Sequence, residues 1–161
     1  MEIAMPARAA FRPDPVLIRR ATVREGERRS RQSDLLGAPV SSDYDIVKEV
    51  AKGLDPGVIT RLTDEGLTRR ELEFVIPPRT LTHRIKNGER LSTDESERSV
   101  RLVNLLLQAE QLLGGKEAAT AWLRQPLRRF DGRSALEVAR TEQGARLVEE
   151  LLIQIEEGYA A

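Results

Sequence analysis

Apolar side chains recur three and four residues apart along most of the chain from Asp43 onward, which is the spacing of helices with one buried face. The capping box S/T-x-x-E, in which two side chains bind free backbone N–H groups at a helix start, occurs three times. The three boxes are Thr68 with Glu71, Ser92 with Glu95, and Ser134 with Glu137. Glycines at Gly53, Gly66, Gly88, Gly114-Gly115 and Gly158 stand where helices should end. The pattern predicts an all-α chain of seven or eight helices and no β-strand.

The segment Asp94–Leu113 is predicted to be the longest helix. Its leucines and valines cover more than half of the helix circumference, so the helix must be buried on two sides. One side can pack under the preceding helices. The other side needs either the C-terminal part of the same chain or a second copy of it, and the pattern does not distinguish a core helix from a dimer seam.

A pair of short helices is predicted between residues 68 and 87. The pattern predicts a capped helix over Thr68–Val75, which cannot continue through Pro77-Pro78. A second helix is predicted to begin at Pro78 and to end at Asn87. In this second helix Leu81 and Ile85 lie four residues apart and are predicted to face inward.

The opposite face of the second helix is polar and basic. Two short helices with such a face have the dimensions of a DNA-reading helix-turn-helix. Arg79 is then positioned for a guanine edge or a phosphate, Thr82 and His83 for base edges, and Lys86 and Arg90 for phosphates. A polar outer face is also ordinary for any surface helix, so spacing alone leaves DNA binding and a plain solvated face open.

Charge and composition narrow the classes of function. The 161 residues have zero net charge, but residues 68–91 hold 6 basic and 3 acidic side chains, whereas residues 92–161 hold 9 and 12. The chain has no cysteine and one histidine, which excludes thiol nucleophiles, multi-histidine metal sites and the usual triads. We expect no cofactor and no enzyme activity. An enzyme would depend on carboxylates such as Glu149, Glu150, Glu156 and Glu157, which the pattern places on a solvated helix face.

The two ends of the chain add less. Residues 1–42 combine scattered arginines with four prolines and few periodic apolar positions, and we interpret them as a loosely ordered arm, although a short helix near residues 15–22 is compatible with the pattern. No signal peptide or membrane-spanning run is recognisable, so we expect a soluble cytoplasmic protein without a membrane partner.

Several motifs together resemble one known family. The stretch Leu67–Arg98, with Arg-Thr-Leu opening the second helix and then Arg-Leu-Ser-x-x-Glu-Ser, resembles the Xre-type helix-turn-helix of the Xre/MbcA/ParS antitoxins. Downstream, Ala-Trp-Leu-Arg-x-Pro at Ala121–Pro126 and later glycine-containing motifs look like the toxin-binding domain of that family. The similarity spans about Gly53 to Ala161. One departure is Asp131, which stands where a second glycine is common.

The resemblance implies a fold and a function. The expected fold is an Xre-type helix-turn-helix bundle followed by a small helical toxin-binding domain, with residues 43–113 as the DNA-binding and dimerisation domain and residues 114–161 as the toxin-binding domain. The expected function is that of a type II antitoxin that inhibits an NAD-consuming RES-domain toxin and, as a homodimer, binds operator DNA of its own operon. A free-standing dimeric transcription regulator is the alternative.

The end of the chain is the expected toxin contact. The last helix is predicted over Glu142–Glu157, followed by a short aromatic tail. In light of the resemblance, the end of this helix and the tail are expected to cover the toxin's active site. The residues assigned to this contact are Glu149, Leu152, Glu156, Gly158, Tyr159 and Ala160.

Overall fold

The computed structural model describes the backbone of residues 15–158 and the side chains of residues 24–158. In this range the helices are α1 (Pro15–Leu36), α2 (Asp43–Lys52), α3 (Gly57–Asp64), α4 (Pro78–Asn87), α5 (Thr93–Leu113), α6 (Lys116–Arg124), α7 (Ala135–Val138) and α8 (Glu142–Glu156). A short 3-10 turn lies at Arg128–Phe130. The described residues form no β-strand, and one isolated bridge joins Pro126 to Ser134. The all-α prediction is therefore confirmed.

Two of the predicted capping boxes open helices. The hydroxyl of Ser92 accepts from the N–H of Glu95, whose carboxylate accepts from the N–H of Ser92 at 2.8 Å, and α5 begins there. Ser134 and Glu137 open α7 in the same way, with 2.7 Å between the Ser134 nitrogen and the carboxylate. A box with aspartate in place of glutamate, at Ser42, opens α2. These side chains replace the backbone partners that the first turn of a helix lacks.

The third box forms, but no α-helix follows it. The segment Thr68–Val75 is a series of tight turns, so the prediction of a helix there is wrong. The N–H of Leu72 donates to the carbonyls three and four residues earlier, at 3.2 Å each, and Val75 donates to the carbonyl of Leu72 at 3.0 Å. Pro77-Pro78 leaves the segment too short to settle into four-residue spacing. Leu72 and Val75 are nevertheless buried.

Helix α1 corrects the prediction for the N-terminal region. Over residues 15–36 the expectation of a loosely ordered arm is wrong, because the chain forms a helix of 22 residues, one longer than α5. Asp94–Leu113 is therefore not the longest helix. The first 14 residues of the expected arm lie outside the described residues.

Contacts with distant residues hold α1 in place. Leu35 and Leu36 at its end belong to the core, and the buried Gln32 donates to Asn104 of α5 at 2.6 Å. Arg61 of α3 donates to the carbonyl oxygens of Leu35 and Leu36 at 2.8 and 3.1 Å, which satisfies free acceptors at the helix end. This polar helix owes its position to these tertiary contacts more than to an apolar face of its own.

Helix α5 is the centre of the fold. It contacts five other helices of the chain, namely α1, α2, α3, α6 and α8. Its buried apolar residues are Leu102, Val103, Leu105, Leu106, Leu107 and Ala109. The chain itself covers both sides of α5, so α5 is a core helix and these residues do not form a dimer seam.

The turn before α7 contains the departure noted in the sequence. Asp131 has a φ of 54° and is the one residue other than glycine with positive φ in the described range. Its N–H donates to the carbonyl of Arg128 at 3.2 Å, and Gly132 follows with a φ of 80°. Aspartate is among the residues that tolerate this left-handed conformation, so the turn closes without the second glycine.

Candidate DNA and toxin interfaces

Helix α4 has the boundaries that its sequence predicts. Pro78 occupies the first helical turn, where proline needs no partner for a missing N–H, and Gly88 ends the helix in the left-handed conformation with a φ of 64°. Leu81 is the one buried residue of the helix. Thr80 and Arg84 are half-buried, and the other residues of α4 are exposed to solvent or to a partner.

The four residues assigned to DNA on α4 share one open face. Arg79, Thr82, His83 and Lys86 are all exposed. The hydroxyl of Thr82 donates to the carbonyl of Pro78 at 3.0 Å. A ring nitrogen of His83 lies 3.0 Å from the side-chain amide nitrogen of Asn87. No salt bridge to a described carboxylate holds Arg79 or Lys86. Both cations are free to meet a polyanion.

Ile85 does not face inward as predicted. Its side chain is 59% exposed. Arg84, one position earlier, takes the inner side of α4, where its Nε lies 2.8 Å from Glu95 Oε2 and its guanidinium also donates to the carbonyl of Arg90 at 3.1 Å. An arginine that faces a buried carboxylate gains charge-assisted hydrogen bonds that isoleucine cannot make. A period-based assignment of apolar residues misses this because Glu95 lies on the next helix.

Arg90, the fifth residue assigned to DNA, has a structural contact. Its Nε donates to the carbonyl oxygen of Gly53 at 2.5 Å, where α2 has just ended. The contact ties the loop after α4 to the end of α2. Arg90 therefore differs from Arg79 and Lys86, whose side chains have no comparable protein contact among the described residues.

The residues assigned to toxin contact divide into two groups. Leu152 is 1% exposed and packs in the core, so it cannot contact a toxin in this fold and that assignment is wrong. Glu149 is half-buried, whereas Glu156 and Gly158 are exposed. Leu152 belongs to the buried stripe of α8 with Val148 and Leu151, and α8 contacts α5.

Two further features of α8 bear on this surface. Ile153 is 45% exposed and lies four residues after Glu149 and three before Glu156, which puts it on their face of the helix. Tyr159 and Ala160 lie outside the described residues.

An ion pair joins the two parts of the chain. Arg124, at the end of α6, has its Nε 2.6 Å from Glu71 Oε1 and its Nη2 2.8 Å from Glu71 Oε2, and it also donates to the carbonyl of Gly66 at 2.6 Å. The hydrogen bond from the Arg124 guanidinium lowers the pKa of Glu71 to about 2. The pair fixes the turn segment before α4 against the end of α6.

A second carboxylate behaves in the opposite way. Burial raises the pKa of Glu110 on α5, although Arg31 of α1 lies 3.3 Å from one of its oxygens. The same guanidinium is 2.8 Å from Glu65, whose charge adds to the increase. These groups join α1 to the core and lie in no cluster of acidic or histidine ligands, since the described residues hold no group suited to a metal ion.

Helix α2 leaves an apolar surface uncovered. None of its ten residues is buried, and Tyr44 and Val47 are 69% and 60% exposed. Val47 also lines a groove of about 410 Å³ between α2, α5 and α8.

The described helices include none that is long and apolar enough to cross a bilayer.

Comparisons with known proteins agree with this architecture. Residues 45–104 match the model of the antitoxin Xre-like helix-turn-helix domain, and residues 108–158 match that of the antitoxin Xre/MbcA/ParS C-terminal toxin-binding domain. Antitoxin Xre of Pseudomonas putida is 38% identical over 135 residues, which is 83% of this chain and 85% of the relative.

Two further relatives extend the similarity. Antitoxin Xre of Yersinia enterocolitica is 30% identical over 153 residues, or 92% of this chain and 97% of the relative. A protein of a Sphingobium species, the Prs ADP-ribosylating antitoxin, is 31% identical over 91 residues, or 51% of this chain and 57% of the relative. The two domain matches and the extensive similarity to two Xre antitoxins establish that the chain belongs to the Xre/MbcA/ParS family of antitoxins, which act by binding and are not enzymes.

Proposed function

We propose that this antitoxin neutralises an NAD-consuming RES-domain toxin and also binds operator DNA of its own operon as a homodimer. The observation that carries the proposal is that the chain has two open surfaces, one on α4 in the helix-turn-helix part and one on α8 in the toxin-binding part. A protein that binds its own promoter works where the DNA is, which supports a cytoplasmic location.

The toxin contact is assigned to the outer face of α8 and to the tail that follows. Glu149, Ile153 and Glu156 share this face, and an exposed isoleucine between two carboxylates suits a partner with a basic rim around an apolar site. The Prs relative is named for ADP-ribosylation, a reaction that uses NAD, and this supports a toxin with an NAD site. The tail residues Tyr159 and Ala160 remain part of the proposal.

Co-expression with the neighbouring gene product tests the toxin contact. We expect the full chain to restore growth and cellular NAD, and expect both to fall when residues 158–161 are deleted. Ile153→Glu should weaken protection strongly. Leu147→Glu is the matched control, because Leu147 is similarly exposed at 42% but lies six residues away, about 120° around the helix. Equal effects of the two substitutions, or full protection by the truncated chain, would contradict the assigned surface.

The DNA contact is assigned to Arg79, Thr82, His83 and Lys86 on α4. Binding of a promoter fragment from upstream of its own gene, measured by fluorescence anisotropy at several salt concentrations, tests it. Replacing Arg79 and Lys86 with glutamine should reduce the slope of log K against log salt by about 1.8, since each lost phosphate contact removes ~0.9. Toxin neutralisation should be unchanged. An unaltered slope would remove α4 from the DNA interface.

The homodimer is assigned to α2. An amphipathic ten-residue helix with no buried residue, next to a groove that its own chain leaves open, supports a second copy as the covering partner, because DNA-binding helix-turn-helix proteins pair two half-sites through a two-fold axis. Val47→Glu should shift the mass in light scattering from dimer to monomer. Ile85→Glu, equally exposed on α4, should leave the dimer intact. A monomeric wild-type chain at micromolar concentration would refute the dimer.

A further inference from the structure

A polar cleft lies where the turn segment Thr68–Val75 meets the toxin-binding part. It measures about 400 Å³ and is open to solvent. Its charged lining residues are Arg70, Glu71, Arg124, Glu137 and Arg140. Three of these five side chains are cationic, and they come from both parts of the chain: Arg70 from the helix-turn-helix part, Arg124 and Arg140 from the toxin-binding part.

The two carboxylates of the cleft already have partners. Both oxygens of Glu71 accept from Arg124, at 2.6 and 2.8 Å. Glu137 accepts from the backbone N–H of Ser134 at 2.7 Å as part of a capping box. A backbone N–H carries no charge, so Glu137 remains an anion and offsets part of the cationic charge. Three arginines against two carboxylates leave the cleft with one excess positive charge.

Arg70 and Arg140 are the unused cations. Both side chains are exposed, and within residues 24–158 neither lies in a salt bridge. Arg140 acts on Glu137 through space, as a smaller cause beside the Ser134 hydrogen bonds that lower the pKa of Glu137. Two exposed guanidinium groups that line one cleft both attract a bound anion. The planar guanidinium group also matches the geometry of phosphate.

The position of Arg70 indicates which anion reaches the cleft. In a helix-turn-helix, the segment that precedes the recognition helix crosses the DNA backbone while the recognition helix enters the major groove. The segment Thr68–Val75 precedes α4 directly, so Arg70 lies on the part of the motif that meets phosphates. Arg140 comes from the loop after α7 and lines the same cleft.

We propose that the Arg70–Arg140 cleft binds a phosphate of the DNA backbone, so that the toxin-binding domain contributes Arg140 to the DNA interface. This inference rests on the proposed DNA binding of α4 and extends its footprint beyond the helix-turn-helix. A toxin bound to the same domain would then lie close to the bound DNA. An acidic protein segment is the competing occupant.

Salt-dependent DNA binding by the full-length chain tests the proposal. The probes are the promoter fragment and a 25-bp duplex of arbitrary sequence, because phosphate contacts act on both. Arg140→Gln should lower the slope of log K against log salt by up to ~0.9 on each probe, and the double variant with Arg70→Gln by ~0.9 in total, because both arginines face one phosphate. At 0.1 M salt, each substitution should weaken binding by roughly fivefold to tenfold.

A matched control separates a local contact from a change in net charge. Arg24 lies near Gly115, at the end of α6 opposite Arg124, and is exposed. Arg24→Gln should leave the slope unchanged. Circular dichroism melts of all variants should match the wild type, since the three arginines are exposed.

The outcomes distinguish this inference from the function on which it rests. If Arg79→Gln with Lys86→Gln weakens DNA binding while Arg140→Gln retains the wild-type slope, the cleft inference is overturned and α4 binding stands. If Arg140→Gln weakens toxin binding and not DNA binding, the occupant is an acidic protein segment and the proposal is wrong. If the wild-type chain binds neither duplex, the DNA-binding function and the cleft inference both fall.

Discussion

Breaking the ion pair between Arg124 and Glu71 should measurably destabilise the fold, because it is the main polar contact between the turn segment and α6. The depression of the Glu71 pKa from 4.5 to about 2 corresponds to roughly 3 kcal/mol if converted in full. The Arg124 side chain is 39% exposed, so solvent screens the interaction. We therefore expect a pairwise coupling of about 1–2 kcal/mol at pH 7.

The coupling should depend on pH in a defined direction. A carboxylate with a lowered pKa in the folded state contributes stability that is complete above its unfolded pKa of 4.5 and is lost as the pH falls through the folded value of about 2. The two values imply that more than half of the contribution has gone by pH 3. The cause is protonation of Glu71 in the unfolded chain, because in the folded chain Glu71 is still ionised at pH 3.

A double-mutant cycle in urea measures this coupling. The four proteins are the wild type, Glu71→Gln, Arg124→Met and the double variant, each unfolded at pH 7 and pH 3. Glutamine at position 71 can still close the capping box with Thr68, so the cycle isolates the ion pair from the cap. A coupling below about 0.3 kcal/mol at pH 7, or one that is the same at both pH values, would refute the reasoning.

Four further substitutions test the packing by their urea midpoints. Gly144→Ala would put a Cβ 1.9 Å from the carbonyl oxygen of Val138 at the end of α7, and it should lower the free energy of unfolding by about 1–3 kcal/mol or more. Gly26→Ala, whose Cβ would meet no atom within 4 Å, should raise the free energy of unfolding by about 0.5–1 kcal/mol. A harmless Gly144→Ala would show that α7 can move aside. Asp131→Gly should stabilise the protein by up to about 1 kcal/mol because glycine accepts the positive φ without strain, and a loss would indicate a role for the carboxylate. Asn104→Ala should cost about 1–3 kcal/mol by leaving the buried amide of Gln32 without its acceptor, and no change would mean that water replaces it.

Local signals in the sequence were sufficient for most helix boundaries. The boundaries of α4 follow from Pro78 and Gly88, and α5 begins at its capping box and ends before Gly114. These signals act within a few residues, so their physical effect does not depend on the rest of the fold.

The predictions that were wrong depend on partners distant in the chain. Helix α1 is charged and lacks a clear apolar face, and its support comes from Asn104 and from the core around Leu36. Ile85 is exposed because Arg84 takes the inner position opposite Glu95. Neither the support of α1 by distant residues nor the exchange of Ile85 for Arg84 on the inner side of α4 produces a periodic pattern of apolar residues in the sequence.

The candidate surfaces divide in the same way. Helical spacing correctly grouped the exposed residues of α4, because one buried residue suffices to orient that helix. Leu152 was assigned to the toxin although its position on α8 turns it toward α5. There the resemblance to a family suggested a region of contact, and only the packing determines which side chains in that region can be reached.

The central place of α5 limits how such antitoxins can exchange their parts. The two family matches meet between residues 104 and 108, inside α5 and among its buried leucines. A chimera joined at that point would combine half of one helix with half of another and leave both cores mismatched. A crossover at Gly114-Gly115 instead transfers α5 whole, and gene recombination that yields new pairings of operator and toxin should favour that junction.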